Sequence, residues 1–201
     1  MMIKNIIFDV GKVLVEYDPD GMMKKLGFDE ETLQTVNQAV FQNELWNESD
    51  RGVLSPEELL EAFIANNPAY EKEIRQVIDA VGDTISLMPY AVEWVKGLKE
   101  KGYHLYILSN YAEYTYEKTS HKMEFLPYMD GVVFSYRCKL IKPEKEIYEY
   151  ICKTYELKPE ESVFLDDRKD NVEAARNMGM HGIVFENYAQ GSETLEQLLK
   201  N

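Results

Sequence analysis

The most constraining feature of this sequence is a series of short apolar runs, each of which stops at a polar residue. The first run, Ile6-Ile7-Phe8, ends at Asp9, and Gly11 then allows the backbone to turn. Continuous apolar runs of this kind are typical of parallel strands that are buried on both faces. Ligands of open α/β sheets bind beyond the carboxyl ends of such strands. Asp9 is therefore a candidate for chemistry, although an Asp at this place can also simply stabilise a turn.

The C-terminal part of the chain alternates between strand and helix patterns. Four further apolar runs predict strands at about 104–108, 131–135, 162–165 and 182–185, and amphipathic stretches that predict helices separate them. Pro143 is predicted to open the helix that follows the third strand. Regular alternation of this kind indicates right-handed βαβ units on a parallel sheet.

The region from about residue 18 to residue 85 has a helical period and no convincing strand. Ser55-Pro56-Glu57-Glu58 is a helix start signal with Pro at the first helical position. Because strands do not alternate with these helices, the region is predicted to be an inserted all-helical domain. The predicted fold class is therefore α/β, with a Rossmann-like, three-layer parallel-sheet core at 1–16 and 87–201 and a small helical cap at 17–86.

Composition excludes several classes of protein. The net charge of −14 over 201 residues argues against nucleic-acid binding, and any anionic substrate needs local positive charge at its site. No run is long enough to span a membrane, and the apolar start is too short for a signal peptide. Cys138 and Cys152 are expected to be free thiols in a reducing compartment. We therefore expect a cytoplasmic protein that binds neither nucleic acid nor membranes, and the composition indicates no oligomeric state.

Polar residues follow four of the predicted strands. In chain order they are Asp9, Ser109-Asn110, Lys142 and Asp166-Asp167. Each has a simpler interpretation when taken alone: a turn for Ser109-Asn110, an exposed helix entry for Lys142, and a helix cap for Asp166-Asp167. The carboxyl ends of parallel strands meet at one edge of the sheet, so we expect all of these side chains to lie together.

This set of side chains predicts phosphoryl chemistry. Aspartate oxygens suit Mg²⁺, which binds through one or two carboxylates, waters and a substrate phosphate. Ser109 and Asn110 are expected to donate hydrogen bonds to phosphate oxygens, and Lys142 to supply positive charge. An aspartate can attack phosphorus and form an aspartyl-phosphate that water later cleaves. The sequence therefore predicts a Mg²⁺-dependent hydrolase of a small phosphorylated metabolite, with Asp9, Ser109, Asn110 and Lys142 as its catalytic residues.

The order of these motifs resembles that of the haloacid dehalogenase superfamily over essentially the whole chain. The motifs are Phe8-Asp9-Val10-Gly11-Lys12-Val13-Leu14, then Ile107-Leu108-Ser109-Asn110, then Lys142-Pro143, and finally Phe164-Leu165-Asp166-Asp167 through Asn171. The helical insert is placed like the small cap of this superfamily. The resemblance implies that Asp9 is the nucleophile and a metal ligand. It also implies Mg²⁺ ligation by the Gly11 carbonyl and Asp167, with support from Asp166 and Asn171.

Gly11 departs from the commonest pattern of this superfamily. Its phosphatases usually carry a second Asp at this position, which protonates the leaving group. The departure is compatible with a 2-haloacid dehalogenase, although those relatives work without metal and lack the acidic pair. It is also compatible with a catalytically silent or signalling protein. We favour the branch that resembles bacterial glucose-1-phosphate phosphatase and the N-terminal phosphatase of epoxide hydrolases. An acidic leaving group such as an anomeric hydroxyl needs less protonation, so a sugar phosphate is the expected substrate class.

The predicted cap contributes two further candidates for substrate binding. Trp46 is placed to stack on a sugar ring and Arg51 to bind an anion, with Ser109, Asn110 and Lys142 completing the predicted binding set. The alternatives for the two cap residues are core packing for Trp46 and a salt bridge for Arg51.

Overall fold

The computed structural model describes residues 2–200. Its central element is a five-stranded, all-parallel sheet in the order β5-β4-β1-β6-β7, and a separate antiparallel ribbon pairs β2 with β3. The strands of the described residues are β1 (Asn5–Phe8), β2 (Val15–Tyr17), β3 (Ile85–Leu87), β4 (His104–Ser109), β5 (Gly131–Phe134), β6 (Ser162–Asp166) and β7 (His181–Val184). All five predicted strands are thus present in the sheet.

Helices surround the sheet and fill the segment between β2 and β3. In chain order the described α-helices are α1 (Pro19–Lys25), α2 (Glu30–Val40), α3 (Glu44–Arg51), α4 (Pro56–Asn66), α5 (Glu71–Asp79), α6 (Ala91–Glu100), α7 (Glu113–Thr119), α8 (Ser135–Cys138), α9 (Lys145–Thr154), α10 (Lys169–Asn177) and α11 (Tyr188–Leu199). None of the helices in residues 2–200 has the length and apolar character needed to cross a membrane.

The sheet is the middle of three layers because successive strand residues point to opposite faces. In β1, Ile6 and Phe8 belong to an apolar cluster that includes Trp94 of α6 and Leu195 of α11. Ile7 belongs to a second cluster, on the other face, with residues of α9 and α10. The predicted α/β, Rossmann-like fold class is therefore confirmed.

The helices α1 to α5 have an apolar core of their own. Phe63, Ile74 and Val77 are fully buried in this cluster, which is separate from the two that cover the sheet. Helix α4 begins as its sequence predicts, because Ser55 and Glu58 form a reciprocal capping box. The bounds 17–86 remain our proposal for the cap. The ends of the predicted core at Met1 and Asn201 lie outside the described residues.

Two local predictions were wrong or incomplete. Helix α9 begins at Lys145 rather than at Pro143. Pro143 lies instead in a turn with a cis Lys142-Pro143 peptide at its centre, and the Glu144 N–H donates to the Ile141 carbonyl over 3.0 Å. The β2–β3 ribbon was not predicted, because strands of three residues are too short to show an alternating pattern.

Removal of the Phe63 side chain is expected to test the separate core of the cap. Phe63 is fully buried and Glu61 of the same helix is exposed. We expect Phe63→Ala to lower the free energy of unfolding by about 3–5 kcal/mol, because it removes buried apolar surface and leaves a cavity. Glu61→Ala is the control, with an expected change within about 0.5 kcal/mol. Equal chemical denaturation midpoints for the two variants would contradict this packing.

Candidate active site

Four chain segments meet at the carboxyl edge of the sheet. Asp9 directly follows β1, Ser109 ends β4 and Asp166 ends β6. Strand β1 lies between β4 and β6, so Asp9 occupies the centre of this edge. Lys142 reaches the same point from the loop after β5. The predicted convergence of these side chains is therefore observed.

Lys142 joins the two buried carboxylates of the site. Its Nζ lies 2.9 Å from Asp9 Oδ1 and 2.6 Å from Asp166 Oδ2, and only 1% of its side chain is exposed. Burial by itself lowers the pKa of a lysine, but the nearby charges of Asp166 and Asp9 raise the pKa of Lys142 above its ordinary value. The ammonium group therefore stays charged and provides the local positive charge that an acidic protein needs for an anionic ligand.

The Asp9 carboxylate is held through one oxygen. Its Oδ1 accepts hydrogen bonds from Ser109 Oγ at 2.6 Å and from the Val10 N–H at 2.7 Å, in addition to its contact with Lys142. Burial raises the pKa of Asp9 to about 6, an effect that Lys142 opposes and Asp166 reinforces. Since these contacts all end on Oδ1, Oδ2 is the oxygen left for attack on an electrophile.

Asp166 and Asn110 hold other residues in place. Asp166 accepts from Asn171 Nδ2 at 3.0 Å and from the Arg168 N–H at 2.8 Å, as well as from Lys142. Asn110 exchanges two hydrogen bonds with the backbone of Lys142: its amide donates to the Lys142 carbonyl and its oxygen accepts the Lys142 N–H. Asn110 therefore fixes the loop that carries the lysine, whereas it was expected to donate to phosphate.

The donor set at this edge fits a small, hard cation. One oxygen each of Asp9, Asp166 and Asp167 lie within 4.8 Å of one another. The buried Asn171 Oδ1 has no hydrogen-bond partner among the described residues, which is consistent with a water or a cation-bound water beside it. Burial and the charge of Asp166 raise the pKa of Asp167, while Lys12, 3.8 Å away, lowers it. Lys142 contacts two of these three carboxylates and Lys12 lies beside the third, so the cluster keeps an excess of negative charge that Mg²⁺ would neutralise.

A cavity of about 560 Å³ opens above this edge and is lined on its other side by the insert. The core lines it with Asp9, Gly11, Ser109, Asn110 and Lys142. The insert adds a polar lining, whose members include Asp20, Asn37, Gln42, Asn47 and Asp50. The insert thus covers the reactive edge of the sheet with side chains that can hydrogen bond to a polar ligand.

Of the two cap residues predicted to bind substrate, Trp46 lies at the cavity and Arg51 does not. Trp46 lines the cavity, but its ring also packs edge-on against Phe41, with 4.7 Å between the ring centroids, and beside Phe63, with 6.2 Å between the centroids. Arg51 is not among the described residues that line the cavity. Its guanidinium instead forms a bidentate pair with Glu144 at 2.7 and 2.9 Å. The salt-bridge alternative therefore describes Arg51 better than anion binding does.

Sequence reasoning missed the polar lining of the insert and above all Asp50. Burial raises the pKa of Asp50 to about 7, with Lys142 opposing and Asp9 reinforcing this shift. Asn37 could have been recognised in the sequence, because it is a polar residue within the apolar face of α2 formed by Val36 and Val40. Asp50 had no such signal, because most positions of the short helix α3 carry polar residues.

The comparisons with known proteins define the family. A family model described as haloacid dehalogenase-like hydrolase matches residues 3–179. The chain therefore belongs to the haloacid dehalogenase-like hydrolase family, as the motifs predicted. D-ribitol-5-phosphate phosphatase of Bacteroides thetaiotaomicron is 27% identical to this chain over 100% of both proteins. The chain is thus a hydrolase with phosphatase relatives, and these support a phosphatase that acts on a phosphorylated small molecule.

Solved structures share the fold. One is a family enzyme of Bacteroides thetaiotaomicron in complex with magnesium and inorganic phosphate, with a TM-score of 0.71, 24% identity, and coverage of 93% of this chain and 98% of that chain. Another is a dehalogenase with a TM-score of 0.76, 18% identity, and coverage of 99% and 98%. The same fold serves both kinds of enzyme, so the choice between them depends on the residues of the site.

The buried carboxylates predict an unusual pH dependence of stability. A carboxyl group whose pKa is higher in the folded than in the unfolded state binds more protons when folded, so stability falls as pH rises between the two values. For Asp50 the pH range over which stability falls extends from 3.8, the ordinary pKa of an aspartate, to about 7, its pKa in the folded state. In EDTA, the Tm of the wild type is expected to fall from about pH 5 to about pH 8. Asp50→Asn removes the charge and is expected to raise Tm at about pH 8 by about 2–8 °C.

The exposed Glu61 supplies the control for this measurement. Glu61→Gln also removes one negative charge from the insert, and its Tm is expected to follow that of the wild type at each pH. A Tm of Asp50→Asn that lies at or below that of the wild type at about pH 8 would show that the charge of the half-buried Asp50 does not destabilise the fold.

Proposed function

We propose that this protein is a Mg²⁺-dependent phosphomonoester hydrolase that acts on a small phosphorylated metabolite, a sugar or polyol phosphate, through an aspartyl-phosphate. The observation that carries the proposal is the placement of Asp9. Its carboxylate lies at the centre of the sheet edge, 2.9 Å from the buried Lys142 ammonium and at the floor of a polar cavity. A fixed carboxylate beside a fixed cation suits attack on a phosphorus atom that carries negative oxygens.

The residues of the core have distinct roles in this proposal. Asp9 Oδ2 attacks phosphorus, since Oδ1 is held by Ser109 and the Val10 N–H. Lys142 attracts the phosphate oxygens and stabilises the charge on the transferring phosphoryl group. Ser109, which donates to Asp9 in this structure, can turn its hydroxyl to a phosphate oxygen. Asn110 keeps Lys142 in position through its two hydrogen bonds to the lysine backbone.

The metal would be held by Asp9, the Gly11 carbonyl and Asp167. Asp166 is the less suitable ligand because its two oxygens already accept from Lys142, Asn171 and the Arg168 N–H. When bound, Mg²⁺ supplies positive charge that reduces repulsion between the phosphate and the carboxylate. Asn171, whose Oδ1 has no partner among the described residues, is placed to orient a water beside the metal.

The polar lining of the insert supports a sugar or polyol phosphate as the substrate class. Several amides and carboxylates from α1 to α3 face the cavity, and Asn37 Nδ2 donates to Asp20 Oδ1 at 2.6 Å. Hydroxyl groups of a polyol can both donate to and accept from such side chains. Trp46 adds an aromatic surface at the same wall. The similarity to a ribitol-phosphate phosphatase is consistent with this class of substrate.

The dehalogenase alternative fits these residues less well. A haloacid displacement by Asp9 needs no metal, yet the site retains Asp166 and Asp167 beside the nucleophile. A silent binding protein would not need an attacking carboxylate in a buried ion network, which is costly to maintain. Both alternatives predict no Mg²⁺-dependent release of phosphate.

Release of inorganic phosphate from a panel of phosphomonoesters tests the proposal. We expect the wild type with Mg²⁺ to hydrolyse p-nitrophenyl phosphate and at least one sugar or polyol phosphate, such as ribitol 5-phosphate, and to lose this activity in EDTA. Asp9→Asn removes the nucleophile and should lower kcat by at least about 10³-fold. Asp130→Asn is the control, because Asp130 is a carboxylate beside the start of β5, at the opposite edge of the sheet.

Three results would contradict the proposal. Activity that persists in EDTA would favour metal-independent chemistry, and phosphate release by Asp9→Asn at the rate of Asp130→Asn would remove Asp9 as the nucleophile. A wild type with no activity on any phosphate would favour the silent binding protein.

A further inference from the structure

Gly11 leaves the proposed reaction without a proton donor for the leaving group, and the cavity offers a substitute from the other side. When a carboxylate attacks phosphorus in line, the leaving oxygen departs on the opposite face. Asp9 forms the floor of the cavity, so the leaving oxygen faces the insert. Asp50, the penultimate residue of α3, lines this same cavity from the insert.

The segment that carries Asp50 is attached to the core at three consecutive residues. Ser135 Oγ donates to the Asp50 carbonyl, and Arg51 pairs with Glu144 through two hydrogen bonds. Lys139 Nζ donates to the Gly52 carbonyl. All three partners belong to the stretch of the core between the end of β5 and the start of α9. Asp50 therefore has a fixed position above the core although it belongs to the insert.

The Asp50 side chain is also oriented by the core. It lines the same cavity as Ala112, in the loop that follows Ser109, and the backbone N–H of Ala112 opposes the rise in the pKa of Asp50. Tyr17 and Tyr111 line the same cavity, and burial together with the negative charge of Asp50 raises the pKa of both phenols. Lys142 is the positive charge that opposes the rise in the pKa of Asp50, and its ammonium group already contacts Asp9 and Asp166. This environment favours a neutral carboxylic acid, whose pKa of about 7 allows it to hold a proton at neutral pH.

The other carboxylates that the insert directs at the cavity have structural partners. Asp18 caps α1 by accepting the Gly21 N–H at 2.8 Å. Asp20 accepts from Asn37 Nδ2. Both carboxylates are therefore engaged in hydrogen bonds within the insert. Asp50 is the cap carboxyl that combines a raised pKa with a place in the cavity.

We propose that Asp50 is the general acid of this enzyme and replaces, from the cap, the carboxyl group that Gly11 lacks in the core. The inference rests on the phosphatase activity proposed above. In the first step a bond forms between Asp9 Oδ2 and phosphorus, the bond from phosphorus to the leaving oxygen breaks, and that oxygen takes the Asp50 proton. In the second step water attacks phosphorus, its proton passes to the Asp50 carboxylate, and the bond to Asp9 breaks to release inorganic phosphate.

This assignment widens the range of substrates. Without an acid, only phosphates of acidic leaving groups, such as an anomeric hydroxyl or a phenol, are cleaved readily. With Asp50 as the donor, phosphates of ordinary alcohols become substrates, because their alkoxide need not leave unprotonated. Arg51 is then a positioning residue that holds the acid in place, rather than a ligand of the substrate.

The test compares leaving groups in the first turnover. Release of alcohol from ribitol 5-phosphate, or from the alkyl phosphate of the panel that is cleaved fastest, is measured by rapid quench and compared with release of p-nitrophenol from p-nitrophenyl phosphate. We expect Asp50→Asn to slow the alkyl reaction by about 10²–10⁴-fold, the usual contribution of a general acid. The burst of p-nitrophenol is expected to change little, since this phenol leaves without a proton.

Two further variants separate acid catalysis from structure. Asp50→Glu keeps a carboxylic acid and is expected to recover part of the alkyl rate. Glu44→Gln removes an exposed charge from the same helix and should leave both rates unchanged. Asn at position 50 retains an oxygen that can accept the Ala112 N–H, so Asp50→Asn is expected to remain folded.

Any other pattern of alkyl and aryl rates would overturn the assignment of Asp50 as the general acid. Equal losses of the alkyl and aryl rates would make Asp50 a positioning residue, and no loss of either would remove it from the reaction. A wild type that cleaves aryl but no alkyl phosphate would show that no general acid is present. A wild type that cleaves neither would instead refute the proposed function on which the inference rests.

Discussion

The site depends on the buried contact of one lysine with two aspartates. Lys142 reaches Asp9 and Asp166 at 2.9 and 2.6 Å with almost no exposure to solvent. Buried charges are costly to desolvate, and removal of one partner leaves the others uncompensated. The surrounding hydrogen bonds reduce this cost: Ser109 and Asn171 donate to the aspartates, and Asn110 holds the lysine backbone. These contacts hold together four segments that are distant in sequence, namely those that carry Asp9, Ser109-Asn110, Lys142 and Asp166.

The core and the helical insert contribute different groups to the site. In the proposed reaction, the sheet edge supplies a nucleophile, a cation and oxygen ligands, and all of them act on the phosphoryl group. The insert lines the other side of the cavity with polar side chains, which in this proposal face the rest of the substrate. The Asp50-Arg51-Gly52 segment belongs to the insert but is attached to the core through Ser135, Glu144 and Lys139. A group that acts on the leaving oxygen can therefore be carried by the cap and still hold a defined position.

Much of the core could be predicted from the sequence because its signals are local. A buried parallel strand reads as an apolar run, and the polar residue that ends it marks the reactive edge, as Asp9, Ser109 and Asp166 illustrate. The start of α4 was predictable because a capping box spans four residues. The β2–β3 ribbon pairs segments about seventy residues apart with only three residues each, so no periodicity reveals it.

The cap side of the site was harder to predict because its chemistry depends on partners that are distant in sequence. Arg51 was expected to bind an anionic substrate, but its guanidinium pairs with the carboxylate of Glu144, a residue 93 positions away in the chain. Asp50 is distinguished from other surface aspartates only by the burial that the core imposes on it. Asn110 was correctly placed at the site, but its pairing with the Lys142 backbone follows from the fold of the loop after β5.

Identification of the phosphorylated residue shows directly whether Asp9 is the nucleophile. The wild type is mixed with Mg²⁺ and p-nitrophenyl phosphate, quenched in acid within the first turnovers, digested and analysed by peptide mass spectrometry. We expect one added phosphoryl group on the peptide that contains Asp9, which hydroxylamine removes, and none in Asp9→Asn. A phosphoryl group on another residue, or phosphate release by an enzyme that never carries one, would contradict this assignment.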